Sequence, residues 1–217
     1  MTRDVILFGP PGAGKGTQGA LLAERLDLLR LSTGDVLRDA VRRGTAMGSE
    51  ARRYMEAGEL VPDEVILGIV RDYLAGEARD AGVIFDGFPR TLPQAERLDA
   101  LLAELDRPLR AVLVLDVDND TLVKRLSGRR SCGSCGATYN IYFEAPREED
   151  RCDMCGSELI QRADDDAATV QRRLAVYAEQ TEPLIAYFAR TGTPVHHVDG
   201  DRSVEDVQAD LLELLES

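Results

Sequence analysis

The sequence predicts an α/β protein built on a parallel sheet. Short apolar β-type runs alternate with amphipathic helical stretches, a glycine-rich turn joins the first run to the first helix, and two of the later runs end in an acid, at Asp86 and Asp116. Val5-Ile6-Leu7-Phe8 reads as a short buried strand entered directly from Met1, and Gly16 to Leu26 continues beyond the turn as a helix. Val83-Ile84-Phe85-Asp86 and Val112-Leu113-Val114-Leu115-Asp116 are further buried strands. Val195-His196-His197-Val198-Asp199 reads as the last, its histidines being strand residues rather than ligands. Two stretches break the alternation and are candidate mobile subdomains: a largely helical insert from about Ser32 to Val61, and a cysteine-bearing loop and hairpin from about Gly128 to Asp165. A helix from about Asp166 to Tyr187 is expected to break near Pro183, and a last amphipathic helix runs from Ser203 to Leu215.

Composition narrows the function classes. A chain of 217 residues can bury a sizeable core as one compact body with subdomains. No apolar run reaches the length of a signal-peptide core or a membrane span, so the expected location is cytoplasmic. A net charge of -13 argues against nucleic acid or an anionic membrane as partner, because both reward clustered positive charge. Small anions stay open as ligands, since exposed charges are screened within about 10 Å at moderate salt and local arginines can form a positive cleft inside an acidic shell. Lys15 and Lys124 are the only lysines among 26 basic residues, a bias that fits genome composition or a high-salt habitat.

The strongest chemical signal is Gly9-Pro10-Pro11-Gly12-Ala13-Gly14-Lys15-Gly16-Thr17, between a strand and a helix. Glycines let backbone N–H groups converge on phosphate oxygens, the helix N-terminus adds partial positive charge, and Lys15 reaches the β/γ phosphates. The common phosphate loop has Ser or Thr straight after the lysine; here Gly16 takes that place and the hydroxyl is on Thr17, which puts direct Mg²⁺ ligation by that hydroxyl in doubt. The second signal is Cys132-Gly-Ser-Cys135 with Cys152-Asp-Met-Cys155, the spacing of a closed tetrahedral thiolate site. Structural Zn²⁺ is the expected occupant. Iron is the other metal such a site accepts, and two disulfides the alternative that a cytosolic location disfavours.

The phosphate loop, Ser32-Thr33-Gly34-Asp35-Val36-Leu37-Arg38 and Asp86-Gly87-Phe88-Pro89-Arg90-Thr91 together resemble the adenylate kinase family, in its bacterial type with a long metal-bearing lid. The resemblance continues through Gly128-Arg129-Arg130 and Asp164-Asp165 to Arg172-Arg173, and the Gly-Lys-Gly-Thr ending of the loop is also the family's form. It implies a P-loop nucleoside monophosphate kinase fold: a parallel five-stranded sheet flanked by helices, with a core of 1–31, 62–127 and 166–217, an AMP-binding insert of 32–61 and a lid of 128–165. It implies a monomer acting on ATP, AMP and ADP with Mg²⁺, and an X-Pro bond at Phe88-Pro89 that is cis.

Transfer of a γ-phosphoryl group to a phosphate that is already ionised needs no general base, so positioning and charge neutralisation carry the catalysis. Planar guanidinium groups suit that work. By resemblance, Arg38 and Arg90 hold the AMP phosphate; Arg129, Arg162 and Arg173 gather at the transfer point with Lys15; and Arg125 lies beside the donor's adenine and ribose. Gly12, Ala13, Gly14, Lys15, Gly16 and Thr17 cradle ATP, with Thr138, Tyr139 and Arg202 at donor positions; Tyr139 equally suits packing within the hairpin. Thr33, the backbone of Glu59, Leu60 and Val61, and the Gln94 side chain receive adenine, while Gly87, Phe88, Pro89 and Arg90 close over the nucleotide. Asp86 is expected in the magnesium water shell, a capping hydrogen bond being the alternative. A kinase for UMP or CMP is the nearest rival reading, which Thr33, Gln94 and the long lid disfavour. A P-loop switch or binding protein is disfavoured by Gly16 and by the absence of Asn-Lys-x-Asp.

Overall fold

The computed structural model describes residues 4–216; Met1 to Arg3, expected to lead into the first strand, lie outside them. In chain order the elements are β1 (Asp4–Phe8), α1 (Lys15–Leu26), β2 (Leu29–Ser32), α2 (Thr33–Arg42), α3 (Ala46–Ala57), α4 (Asp63–Ala75), β3 (Val83–Asp86), α5 (Leu92–Glu104) and β4 (Leu109–Asp116). Then follow α6 (Asn119–Ser127), β5 (Arg129–Cys132), β6 (Thr138–Asn140), β7 (Leu159–Ile160), α7 (Ala167–Val176), α8 (Pro183–Thr191), β8 (Val195–Asp199) and α9 (Val204–Glu216).

A five-stranded sheet of order β2-β3-β1-β4-β8 is parallel throughout. The central strand explains its own composition. Ile6 and Phe8 face one core with Phe85, Phe88 and Leu98, whereas Val5 and Leu7 face a second core with Leu22, Leu113 and Leu211. Helices cover both faces, so β1 is an unbroken apolar run rather than an alternating one. Parallel register also brings the carboxyl ends of β1, β3 and β4 to one edge, where the glycine-rich turn and Asp86 lie together. At the opposite end of β1, Asp4 is wholly buried and paired with Arg107. The same guanidinium donates to the carbonyls of Ala78 and Ala81, and Asp4 accepts from the Val83 N–H, so no charge is left without partners.

Two details go beyond the sequence expectation. Leu29-Arg30-Leu31-Ser32 forms an edge strand that sequence reading passes over, because a four-residue run with arginine at its second position lacks the apolar signature of its neighbours. The helix expected from Asp166 is interrupted near Pro183 as read, and the interruption is the turn just before it: Tyr177–Thr181 is one wide π turn, in which the Glu182 N–H reaches the Tyr177 carbonyl. Pro183 then opens α8, which runs four residues past Tyr187; at a first-turn position the missing N–H costs nothing. A second, antiparallel sheet of order β6-β5-β7 stands apart, its small core made of Cys132, Cys152 and Leu159. Phe88-Pro89 is cis, as expected.

Candidate active site

The turn after β1 approaches left-handed or extended-left geometry at three glycines, with φ of +142° at Gly9, +89° at Gly12 and +95° at Gly14, which caps α1. A side chain at Gly9 would also place its Cβ 2.8 Å from the Leu115 carbonyl. Only glycine satisfies both demands. Lys15 folds back over this loop, donating to the carbonyls of Gly9 at 2.6 Å and Pro10 at 2.8 Å. Gly16 has its own reason. A Cβ there would meet Arg30 Nη2 at 3.3 Å, and Arg30 is the partner of Asp86, donating from both Nε and Nη2. Arg30 is a residue that sequence reasoning missed, because its partner lies 56 positions away and no local pattern links them.

Around the loop opens a cleft of about 1730 Å³, well above the roughly 300–1,000 Å³ usual for a single small ligand. Lys15, Arg38, Arg90, Arg125, Arg129, Arg162, Arg173 and Arg202 all line it, each from a different helix, strand or loop. Acids hold several of these arginines in place: Asp35 pairs with Arg38, and the fully buried Asp165 takes a two-pronged pair from Arg129 and a third contact from Arg173 at 3.0 Å. Arg173 also pairs with Asp164, and Arg162 donates to the Ser131 hydroxyl at 2.9 Å. Arg125 donates to the Gly200 carbonyl at 2.8 Å, while Arg202 pairs with Asp210 and Asp206 along α9. Arg42 on the helical insert donates across the cleft to the Gly133 carbonyl of the hairpin, at 2.6 Å.

Burial and the closeness of the cations to one another weaken the hold of several on their protons. Burial, reinforced by Arg90, Arg173 and Arg129 against the opposing pull of Asp86, pushes the Lys15 ammonium down to about 7. Burial and Arg173 push Arg90 down to about 10; burial with Arg38 and Arg129 pushes Arg162 down to about 9, and both stay charged at neutral pH. For Asp35 burial pushes upward, but Arg38 and Arg30 together outweigh it and hold the carboxyl at about 2.

Thr33, Glu59, Leu60, Val61, Gly87, Pro89 and Gln94 line the same cleft. Thr33 donates its hydroxyl to the Gly87 carbonyl at 3.0 Å, fixing the insert against the β3 loop. Phe88 stands apart from this group. Its ring is fully buried against Phe85 at a centroid distance of 6.1 Å, so only its main chain is left to serve a ligand. Gln94, expected to receive the base, is buried too, and it borders the cleft.

The sequence model for the adenylate kinase family matches residues 7–193. The chain belongs to the adenylate kinase family. It is 51% identical over 211 residues to an adenylate kinase of Syntrophotalea carbinolica, covering 97% of each chain. It is 46% identical over 206 residues to one of Methanocella arvoryzae, covering 95% of each. With the adenylate kinase of Salinispora tropica it shares 48% over 213 residues and 98% of each chain.

Adenylate kinases are phosphotransferases that use Mg²⁺ with ATP, and the oxygen donors of this chain suit such a ligand: the Asp86 carboxylate lines the cleft beside the phosphate loop, and Thr17 lines the same cleft. The four cysteines of the chain are thiols, not disulfides. Their sulfurs lie within 4.8 Å of one another, with Cys132–Cys155 and Cys135–Cys152 both at 3.5 Å. A tetrahedron of Zn–S bonds of about 2.3 Å has edges of about 3.8 Å, so four thiolates fit a closed tetrahedral ion. Two matching turns present them. Gly136 N–H donates to the Cys132 carbonyl and Gly156 N–H to that of Cys152, with both glycines at positive φ. Tyr139 belongs to this construction, its hydroxyl accepting from the Asp153 N–H at 2.9 Å and lying 3.6 Å from the Cys152 sulfur, while its side chain and Thr138 still border the cleft. Among the described residues no helix is long and apolar enough to cross a membrane.

Proposed function

We propose that this chain transfers the γ-phosphoryl group of ATP to AMP, reversibly and with Mg²⁺, giving two ADP. The observation that carries the proposal is the convergence of Lys15, Arg38, Arg90, Arg129, Arg162 and Arg173 on a single cleft beside a phosphate loop. Two polyanions must be brought together for this reaction, and the cations meet their charge without reorganisation at the moment of transfer. Mg²⁺ bound with ATP supplies further neutralisation of the phosphate oxygens.

In this reading the main-chain N–H groups of 12–17 and Lys15 hold the ATP phosphates, with Arg125, Thr138, Tyr139 and Arg202 towards its nucleoside. Arg38 and Arg90 hold the AMP phosphate, and Arg129, Arg162 and Arg173 surround the group in flight. Thr33, the main chain of 59–61 and Gln94 receive adenine, under the 87–90 segment. Asp86 serves the magnesium water shell, steered by Arg30. Residues 32–61 and 128–165 form two covers on a core of 1–31, 62–127 and 166–217. The second cover is stiffened by zinc on Cys132, Cys135, Cys152 and Cys155. Its closure keeps water from intercepting the phosphoryl group, a device for which adenylate kinase is itself a standard example. The working form is a cytoplasmic monomer.

The test is ADP formation from MgATP with AMP, UMP, CMP or GMP as acceptor, and with none. Rapid turnover with AMP and little ATP loss without acceptor is the expected result. Preference for a pyrimidine acceptor would move the chain to a different substrate class.

A further inference from the structure

Gln94 is 2% exposed yet borders the cleft, and its amide is held at both ends. Its Nε2 donates to Asp63 Oδ1 at 2.6 Å, and its Oε1 accepts from the Arg90 N–H at 2.8 Å. These partners are of fixed character: a carboxylate only accepts, and a backbone N–H only donates. The orientation of the amide therefore follows from its neighbours. Asp63 is fixed in turn. It opens α4 and takes the Thr91 hydroxyl on Oδ2 at 2.9 Å, while the Thr91 oxygen accepts from the Gln94 N–H as the cap of α5.

An amide has two N–H donors and two carbonyl lone pairs. Asp63 takes one donor and Arg90 one lone pair, leaving one of each, in a set order, for a base. A 6-aminopurine offers an amino donor beside an acceptor ring nitrogen, which that order matches. A 6-oxopurine reverses the pattern, with O6 accepting and N1–H donating, and could be matched only by turning the amide over. Turning it would set its oxygen against the Asp63 carboxylate and its NH₂ against the Arg90 N–H, two buried mismatches.

Building on the placement of Gln94 at the acceptor base, we propose that Asp63 is the residue that sets acceptor selectivity: it locks the Gln94 amide in the sense that accepts a 6-aminopurine and rejects a 6-oxopurine. Asp63 touches no substrate. It is a positioning residue that acts through Gln94. An isolated glutamine would give adenine a partner but could not refuse hypoxanthine, because a free amide turns to suit either edge; the selectivity lies in the pair.

The experiment compares kcat/KM for AMP and for inosine monophosphate, which differs at the 6-position edge alone, in the full chain and in Asp63→Asn and Gln94→Leu. Asparagine keeps the size of the side chain but can turn to offer either oxygen or NH₂, so the Asp63 half of the lock is lost and only the Arg90 N–H still restrains the amide. Asp63→Asn is expected to lower the AMP-over-IMP preference roughly 10- to 100-fold, mainly by raising turnover with IMP relative to AMP. A merely structural role would lower both substrates together and leave the ratio where it was. An unchanged ratio in Asp63→Asn, with the preference lost in Gln94→Leu, overturns the proposal for Asp63 while leaving Gln94 at the base. A preference retained in Gln94→Leu removes the base contact itself and the proposal with it. Thermal melting of each variant, and KM for MgATP at saturating AMP, separate both outcomes from misfolding.

Discussion

Removing one of the four proposed zinc ligands by Cys132→Ser isolates what holds residues 128–165 together. The apolar core there contains a single fully buried aliphatic side chain, Leu159, beside Cys132 and Cys152. Burying one leucine contributes about 1.5–3 kcal/mol. Four-thiolate or mixed zinc sites in short peptides contribute about 10–16 kcal/mol at neutral pH. The metal therefore outweighs the packing several-fold, and the order of the hairpin region should follow it. Hydrogen–deuterium exchange of the zinc-loaded chain, followed by mass spectrometry, reads this directly. In Cys132→Ser the amides of Cys132, Gly136, Cys152 and Gly156, which donate to Ala137, Cys132, Ser157 and Cys152, should exchange orders of magnitude faster. Amides of β1 and β4 should keep their protection, since no contact of that sheet depends on the cysteines. Zinc content should fall from one per chain in parallel. Full protection of these four amides in protein shown to be metal-free would refute the reasoning, because it would mean that packing and hairpin hydrogen bonds suffice.

Arg90→Ala or Lys15→Ala should lower kcat/KM for ADP formation by about 10²–10³-fold with an unchanged circular dichroism spectrum, and near-wild-type turnover would remove either residue from the transfer site. Because burial among arginines holds Lys15 at about 7, the free enzyme loses that charge as pH rises through about 7, whereas a bound polyanion favours the charged form. Nucleotide binding at pH 8 should thus take up protons, and affinity should fall with rising pH; calorimetry in buffers of different ionisation enthalpy measures the uptake, and proton release would contradict it. Arg107→Ala strands the buried Asp4 carboxylate and should cost about 3–5 kcal/mol in urea unfolding, with a loss below about 1 kcal/mol showing that water reaches Asp4.

The features legible in the sequence were those written in contiguous residues. The strand-turn-helix of the phosphate loop, the apolar strands at Val83 and Val112 and the paired cysteines all announce themselves within a few positions. The illegible ones are pairings across long separations. Arg30 with Asp86, Arg107 with Asp4 and Asp63 with Gln94 each join segments that only the sheet topology brings together, and each arginine or acid alone looks like a surface charge. The edge strand β2 was hidden for a related reason: Arg30 breaks its apolar run because its side chain is directed at Asp86. The π turn at Tyr177–Thr181 leaves no local signature either; Pro183 marked the right neighbourhood, but the adjustment falls in the turn before it.

The bond from Arg42 to the Gly133 carbonyl joins the helical insert to the cysteine hairpin without passing through the sheet. An exposed hydrogen bond of this kind contributes about 1 kcal/mol, which biases a two-state equilibrium about fivefold. If residues 32–61 and 128–165 close as proposed, that is enough for either, once down, to favour the descent of the other, and too little to pull both down over an empty cleft. The molecule thus has a weak mechanical handshake. In the proposed two-nucleotide reading, the arrival of one nucleotide would tilt the chain towards receiving the second, and an unloaded chain would remain free to open.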